Sequence, residues 1–118
     1  MDLVTFSQEC GRVPVTILHV NDRLNMGNTT RLEEAARQAY ETGSRHIIID
    51  LCNAPSLTSA GIRSIVIIYK QLTPSGDASR HLALACPVES VREVLRISGL
   101  LEYIPVFVDV KSAVAALG

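Results

Sequence analysis

The feature that most constrains the fold is an uninterrupted apolar run that ends in an acid. Residues 46–51 read His-Ile-Ile-Ile-Asp-Leu. Three isoleucines without polar alternation are typical of a strand covered on both faces, so we expect a central strand over Arg45–Leu51. After a short loop, Thr-Ser-Ala-Gly at residues 58–61 opens a segment with helical apolar spacing, which predicts a helix over Ser59–Leu72. This order indicates an α/β unit with hydroxyl groups at the start of its helix.

The rest of the chain repeats this alternation. Further strands are predicted over Leu3–Phe6, Val13–Val20, Leu82–Cys86 and Ile104–Val108, and further helices around Leu32–Tyr40, over Pro87–Ser98 and over Val110–Leu117. The first two strands should form an antiparallel hairpin, and the later strands, which follow helices, should pair in parallel. We therefore predict that residues 1–118 form one α/β domain, with a mixed sheet of about five strands and about four helices.

Two local details accompany this prediction. Ile67 and Ile68 are expected to widen the buried stripe of the second helix, and Pro74–Asp77 is expected to end that helix as a loop. Gly43 and Gly99 are expected to stop the helices that precede them.

Composition excludes several classes of protein. The net charge is −1, and the lysines and arginines are scattered without a basic stripe, which argues against binding to nucleic acid or to an anionic membrane. The apolar runs are too short to span a bilayer, and the first residues lack the pattern of a signal peptide. We expect a cytoplasmic protein in a reducing compartment.

The three cysteines give no sign of a metal or redox site in the sequence. Cys10, Cys52 and Cys86 are widely spaced and form no Cys-x-x-Cys pair. Each is expected to be a buried, small hydrophobic residue. The sequence predicts neither a cofactor nor a bound metal.

The hydroxyl groups at the start of the second helix allow two interpretations. Thr58 is expected to cap the helix by accepting a hydrogen bond from a free backbone N–H. Ser59 would then be exposed in the first turn, where a phosphate is stabilised by the positive end of the helix dipole. Gly61 would leave room for a partner to approach the helix end.

Asp50 ends the central strand, and ligands of α/β sheets gather at the carboxyl ends of strands. It can serve a functional role there, or it can accept hydrogen bonds from the loop that follows. Asp22 and Asn25 also follow a strand and are expected to lie near Asp50 and Ser59.

An enzyme at this edge would need a base or a metal, and the histidines do not supply one in the sequence. His19 is expected inside a strand, and His46 and His81 are expected at strand starts, which lie at the opposite edge. A small α/β enzyme that uses Asp50 and Ser59 is therefore the least favoured hypothesis.

The residues 47–51 and 57–62 together resemble the signature of the STAS domain family, which includes the bacterial anti-sigma factor antagonists. The resemblance continues in Leu24-Asn25, which is similar to a Gly-x-Leu-Asp segment of the family, and in Ser98-Gly99-Leu100. It covers essentially the whole chain.

The resemblance implies a non-enzymatic regulator. The first serine of the cluster at residues 58–61, Ser59, would be phosphorylated by a serine kinase that is also the anti-sigma factor. A serine phosphatase would remove the phosphate. Unphosphorylated protein would bind that kinase and release the sigma factor. The implied partner-binding residues are Asp22, Asn25, Asp50, Thr58, Ser59, Gly61 and Ile62.

Three positions depart from the family pattern. Thr58 stands where an acid is expected, Asp22 stands for a glycine, and Asn25 stands for an aspartate. Thr58 is itself an alternative phosphorylation site. These departures keep open a second hypothesis, in which the chain is a STAS module without switching, either a stressosome scaffold component or the small subunit of a lipid or solute transport complex.

Overall fold

The computed structural model describes residues 3–72 and 81–117, so the predicted loop over Pro74–Asp77 lies outside the described residues. Its sheet has the spatial order β1-β2-β3-β4-β5. The strands are β1 (Val4–Cys10), β2 (Pro14–Val20), β3 (Ile47–Asp50), β4 (Leu82–Ala85) and β5 (Val106–Phe107). β1 is antiparallel to β2, and the remaining neighbours are parallel. The predicted mixed sheet is confirmed.

Four α-helices occur within the described residues, in agreement with the sequence. They are α1 (Thr29–Glu41), α2 (Ser59–Leu72), α3 (Glu89–Ser98) and α4 (Val110–Ala116), and a 3₁₀ turn at Leu100–Glu102 follows α3. Gly99 has φ of 79°, the left-handed conformation that ends a helix at low cost for glycine. None of these helices is long and apolar enough to cross a membrane.

The central strand divides the core into two layers. All four residues of β3 are buried, as the isoleucine run predicts. Ile47 and Ile49 belong to the larger cluster, which α1, α2 and α3 cover, and Ile48 belongs to a smaller cluster with residues of α4. Because side chains alternate along a strand, Asp50 lies on the same face as Ile48. This places its carboxylate on the side of the sheet opposite to α2.

Three predicted details are wrong. β1 extends to Cys10 instead of ending at Phe6, because a hairpin ladder sustains a strand whose side chains are mostly exposed and lack an apolar pattern. β5 has only two residues, Val106–Phe107, instead of the predicted five. Ile67 is 41% exposed, because it lies beside the groove between α1 and α2 and not on the buried stripe.

Candidate functional site

The loops that follow β2 and β3 are joined at the carboxyl edge of the sheet. Leu24 and Leu57 form an isolated parallel bridge between these loops. The backbone N–H of Leu24 donates to the carbonyl of Ser56, and that of Thr58 donates to the carbonyl of Leu24, both at 3.2 Å. Leu24 is fully buried and Leu57 nearly so. The start of α2 is therefore fixed to the first loop, which places Asn25 close to it.

Thr58 occupies the N-cap position of α2, because its carbonyl accepts a hydrogen bond from the N–H of Ile62 at 3.1 Å. Its hydroxyl does not make the capping bond that the sequence favours. Instead, it donates to the carbonyl of Leu24 at 3.0 Å, across the two loops. The side chain thus stabilises the junction of the loops rather than the helix end.

Ser59 is the first residue of α2, and its side chain is exposed. The first turn contains no acidic residue. Arg63, which is also exposed, lies one turn further along the same face of the helix. The first backbone N–H groups of an α-helix have no partner within the helix, so this end attracts negative charge.

Gly61 has an internal role instead of leaving room for a partner. The residue is buried, and a Cβ atom added to it would lie 2.3 Å from Cδ1 of Leu57 and 3.1 Å from Cβ of Leu24. The first distance is shorter than any ordinary Cβ contact, so the end of Leu57 would have to move, and the second is tight. The missing side chain therefore lets the joined loops lie against α2 without such a shift. Ile62, the next residue, is half-buried and packs against the larger core.

The loop between β2 and α1 is held by its own polar side chains. Oδ1 of Asp22 accepts from the N–H of Arg23 at 2.7 Å, and Oδ1 of Asn25 accepts from the N–H of Gly27 at 2.8 Å. The turn that Asn25 stabilises presents Met26, whose side chain is 86% exposed. A large apolar side chain in this position suits contact with a protein partner.

Asp50 faces away from this surface and is the centre of a hydrogen-bonded chain. Its Oδ1 accepts from the N–H of Cys52 at 3.0 Å. This is a hydrogen bond from the loop that follows β3, one of the two roles that the sequence allows for Asp50. Its Oδ2 lies 2.7 Å from Nδ1 of His19, and Nε2 of His19 lies 2.6 Å from Oγ of Ser7. His19 lies inside β2, as the sequence predicts, and parallel pairing aligns it with Asp50.

The order Ser7–His19–Asp50 follows the connectivity of a serine hydrolase triad. Ser7 lies in the middle of β1, where successive N–H groups point in opposite directions, whereas an oxyanion hole needs donors that converge on one point. Ser59 begins α2, on the other face of the sheet from Asp50. The residues assigned to the enzyme hypothesis therefore do not meet.

Two thiols lie beside Asp50. One ligand atom from each of Asp50, Cys52 and Cys86 lies within 4.8 Å of the other two. A hydrogen bond with the Cys52 thiol, with burial, raises the pKa of Cys86 to about 11. Cys10 and Cys52 are exposed, so the expectation of three buried cysteines is wrong. The sequence spacing could not reveal this cluster, since β3 and β4 bring the two loop starts together.

Comparison with known proteins agrees with the resemblance seen in the sequence. A family model described as the STAS domain matches residues 8–113. BtrV of Bordetella bronchiseptica is named as a putative anti-sigma factor antagonist. It is 32% identical to this chain over 93 residues. This match covers 79% of the chain and 78% of BtrV.

Solved structures have the same fold. A Thermotoga maritima protein described as a putative anti-sigma factor antagonist is 26% identical to this chain, and its structure gives a TM-score of 0.78. The match covers 92% of this chain and 90% of the other. An anti-sigma factor antagonist from Mycobacterium paratuberculosis gives a TM-score of 0.80 at 20% identity, covering 97% and 93% of the two chains. Unphosphorylated SpoIIAA gives 0.66 at 17% identity, covering 86% and 87%, and like the second it supports the fold alone.

Proposed function

The chain belongs to the STAS domain family, and from that premise we propose that it is an anti-sigma factor antagonist switched by phosphorylation of Ser59. Its partners are a serine kinase that acts as the anti-sigma factor and a serine phosphatase that reverses the modification. The protein works in the cytoplasm as the substrate of these enzymes and is not an enzyme itself.

The observation that carries this proposal is the contrast between two neighbouring hydroxyl groups. Both residues are exposed, but the Thr58 hydroxyl donates to the carbonyl of Leu24, whereas Ser59 lies at the first position of α2. A kinase can reach Ser59 without disturbing the bridge between the loops. Because modification of Thr58 would break the hydrogen bond of its hydroxyl to Leu24, this difference favours Ser59 over Thr58 as the modified residue.

A phosphate on Ser59 is compatible with the folded chain. It adds about −1.5 to −2 charges at the positive end of the α2 dipole. No acid lies in the first turn to repel it, and the guanidinium of Arg63 lies one turn away on the same face. The modification should therefore change the surface without unfolding the helix.

The surface around Ser59 suits a protein partner. Exposed Met26 and Arg63 lie in one groove with Ala60 and Ile67, next to the start of α2. Apolar contact by Met26 and Ile67 would hold the unmodified protein to its partner. A phosphate at the rim of this groove would oppose docking, because a dianion loses its hydration in an interface.

Phosphorylation can be tested directly. The purified chain is incubated with ATP and a lysate of its native host, and phosphate is located by peptide mass spectrometry. We expect modification at Ser59, loss in Ser59→Ala, and no loss in Thr58→Val or in Ser56→Ala, which removes another exposed hydroxyl nearby. Phosphate that persists on Thr58 in Ser59→Ala would contradict the assignment.

The second candidate is a STAS module that docks constitutively, as a stressosome scaffold or as the small subunit of a lipid or solute transport complex. Its support is that Oδ1 of Asn25 accepts a hydrogen bond within its own loop and that Thr58 replaces the family acid. Absence of phosphate, under conditions in which a control antagonist is modified, would favour this candidate.

A further inference from the structure

We propose that Asp50, Cys52 and Cys86 form a site for a thiophilic divalent cation such as Zn²⁺, at the face of the sheet opposite to Ser59. The site is independent of the proposed switch. Its three donors are one carboxylate oxygen and two sulfur atoms, all mutually within 4.8 Å. Zn²⁺ binds thiolates together with carboxylates, and three protein ligands leave a fourth position for water.

The separation of the donors suits a tetrahedral ion. Two thiolates on one Zn²⁺ lie about 3.8 Å apart, given a Zn–S distance of about 2.3 Å. The two sulfur atoms therefore need to approach each other by about 1 Å or less, which rotation of the side chains can supply. On binding, each thiol transfers its proton to the buffer. The two resulting thiolates neutralise the charge of the ion, and the carboxylate leaves the occupied site with one net negative charge.

The backbone holds both cysteine segments in place. The N–H of Cys52 donates to Asp50, and the N–H of Leu51 donates to the carbonyl of Ala85 at 2.9 Å. The N–H of Cys86 donates to the carbonyl of Phe107, also at 2.9 Å. Cys86 has φ of 56°, in the left-handed region that residues with a side chain seldom adopt. Little rearrangement of the chain is therefore required on binding.

His19 serves as a positioning residue for this site. Its Nδ1 holds Oδ2 of Asp50, and its other nitrogen is held by Ser7. Hydrogen bonds of this kind fix the orientation of a ligating carboxylate. Cys52 is exposed, so an ion can enter from solvent.

Titration of the reduced, metal-free chain with Cd²⁺ or Co²⁺ tests the site, because thiolate ligation produces a charge-transfer absorption. Competition with a chromophoric chelator then gives the affinity for Zn²⁺. We expect one ion per chain, and an affinity for Zn²⁺ that falls by more than about 100-fold in Cys52→Ser and in Cys86→Ser. His19→Ala should cost about 10- to 100-fold, the usual effect of losing an orienting partner.

Two variants serve as controls for the ligand set. Cys10→Ser removes an exposed thiol at the opposite edge of the sheet, where Cys10 pairs with Pro14, and should bind as the unaltered chain does. Asp50→Asn retains the shape of the side chain but should weaken binding, and circular dichroism verifies that each variant is folded. The three-ligand site would be overturned if the unaltered chain bound Zn²⁺ no more tightly than the double variant Cys52→Ser/Cys86→Ser. It would also be overturned if Cys10→Ser lost as much affinity as the other cysteine variants, or if Asp50→Asn retained full affinity.

Discussion

The two faces of the carboxyl edge of the sheet are built in opposite ways. On the side of α2, the start of the helix presents an exposed Ser59, and its supporting contacts are made by backbone groups of the joined loops. On the side of α4, the carboxylate of Asp50 is buried and accepts bonds from His19 and from the N–H of Cys52. One face leaves a reactive group accessible, and the other engages its polar groups with each other.

Because of this difference, changes at Ser59 should alter the surface of the protein, whereas changes at Asp50 should alter its stability. Adding charge at Ser59 alters an exposed helix end that has few contacts to lose. Removing Asp50 breaks contacts that join β2, β3 and the following loop. Mutations on the first face should therefore affect partners, and mutations on the second face should affect folding.

The largest effect is expected for Asp50→Ala. It leaves His19 and the N–H of Cys52 without their acceptor, and such losses cost about 2–3 kcal/mol of the free energy of unfolding. Urea denaturation should record this loss, whereas Ser59→Ala should change the same quantity by less than about 0.5 kcal/mol.

Asp50→Asn is the matched control, because an amide can still accept from Cys52 and pair with His19. It should recover most of the lost stability. If Asp50→Ala and Ser59→Ala proved equally stable, the two faces would not differ as their contacts indicate.

The features that the sequence predicted correctly are those set by residues close together along the chain. The bounds Ser59–Leu72 of α2 follow from apolar spacing within one segment, and the burial of Ile47–Asp50 follows from a single run. The parallel order of the strands follows from the helices between them.

The contacts that the sequence did not predict are those set by the register between paired strands. Only the alignment of β2 with β3 brings His19 to Asp50, and only the pairing of β3 with β4 brings Cys52 to Cys86. The residues of each pair are more than thirty positions apart, and no short motif contains both. The position of Gly61 at the helix start is visible in the sequence, but its contact with Leu57 becomes visible only when the loops are joined.

A smaller effect is expected for Gly61→Ala, which tests how closely the joined loops lie against α2. The added methyl group meets the flexible end of Leu57, which can move, and Cβ of Leu24, which has less freedom. Overpacking of this kind costs about 1–2 kcal/mol. Thermal unfolding of the variant should show a lower midpoint, and combining it with Leu57→Ala should relieve part of the loss. An unchanged midpoint in Gly61→Ala would mean that the loops do not pack as described.

The smallest effect is expected for Thr58→Val, which removes the hydroxyl bond to the carbonyl of Leu24. That carbonyl still accepts from the N–H of Thr58, so the loss of stability should stay near the low end of the usual range for one hydrogen bond, about 0.5–1.5 kcal/mol. Thr58→Ser retains the hydroxyl and should match the unaltered chain in chemical denaturation. A loss in Thr58→Val well above this range would mean that the hydroxyl, and not the backbone bridge, holds the start of α2. In that case phosphorylation of Thr58 would itself separate the two loops, and the distinction between an accessible Ser59 and a structural Thr58 would become a distinction between two switches.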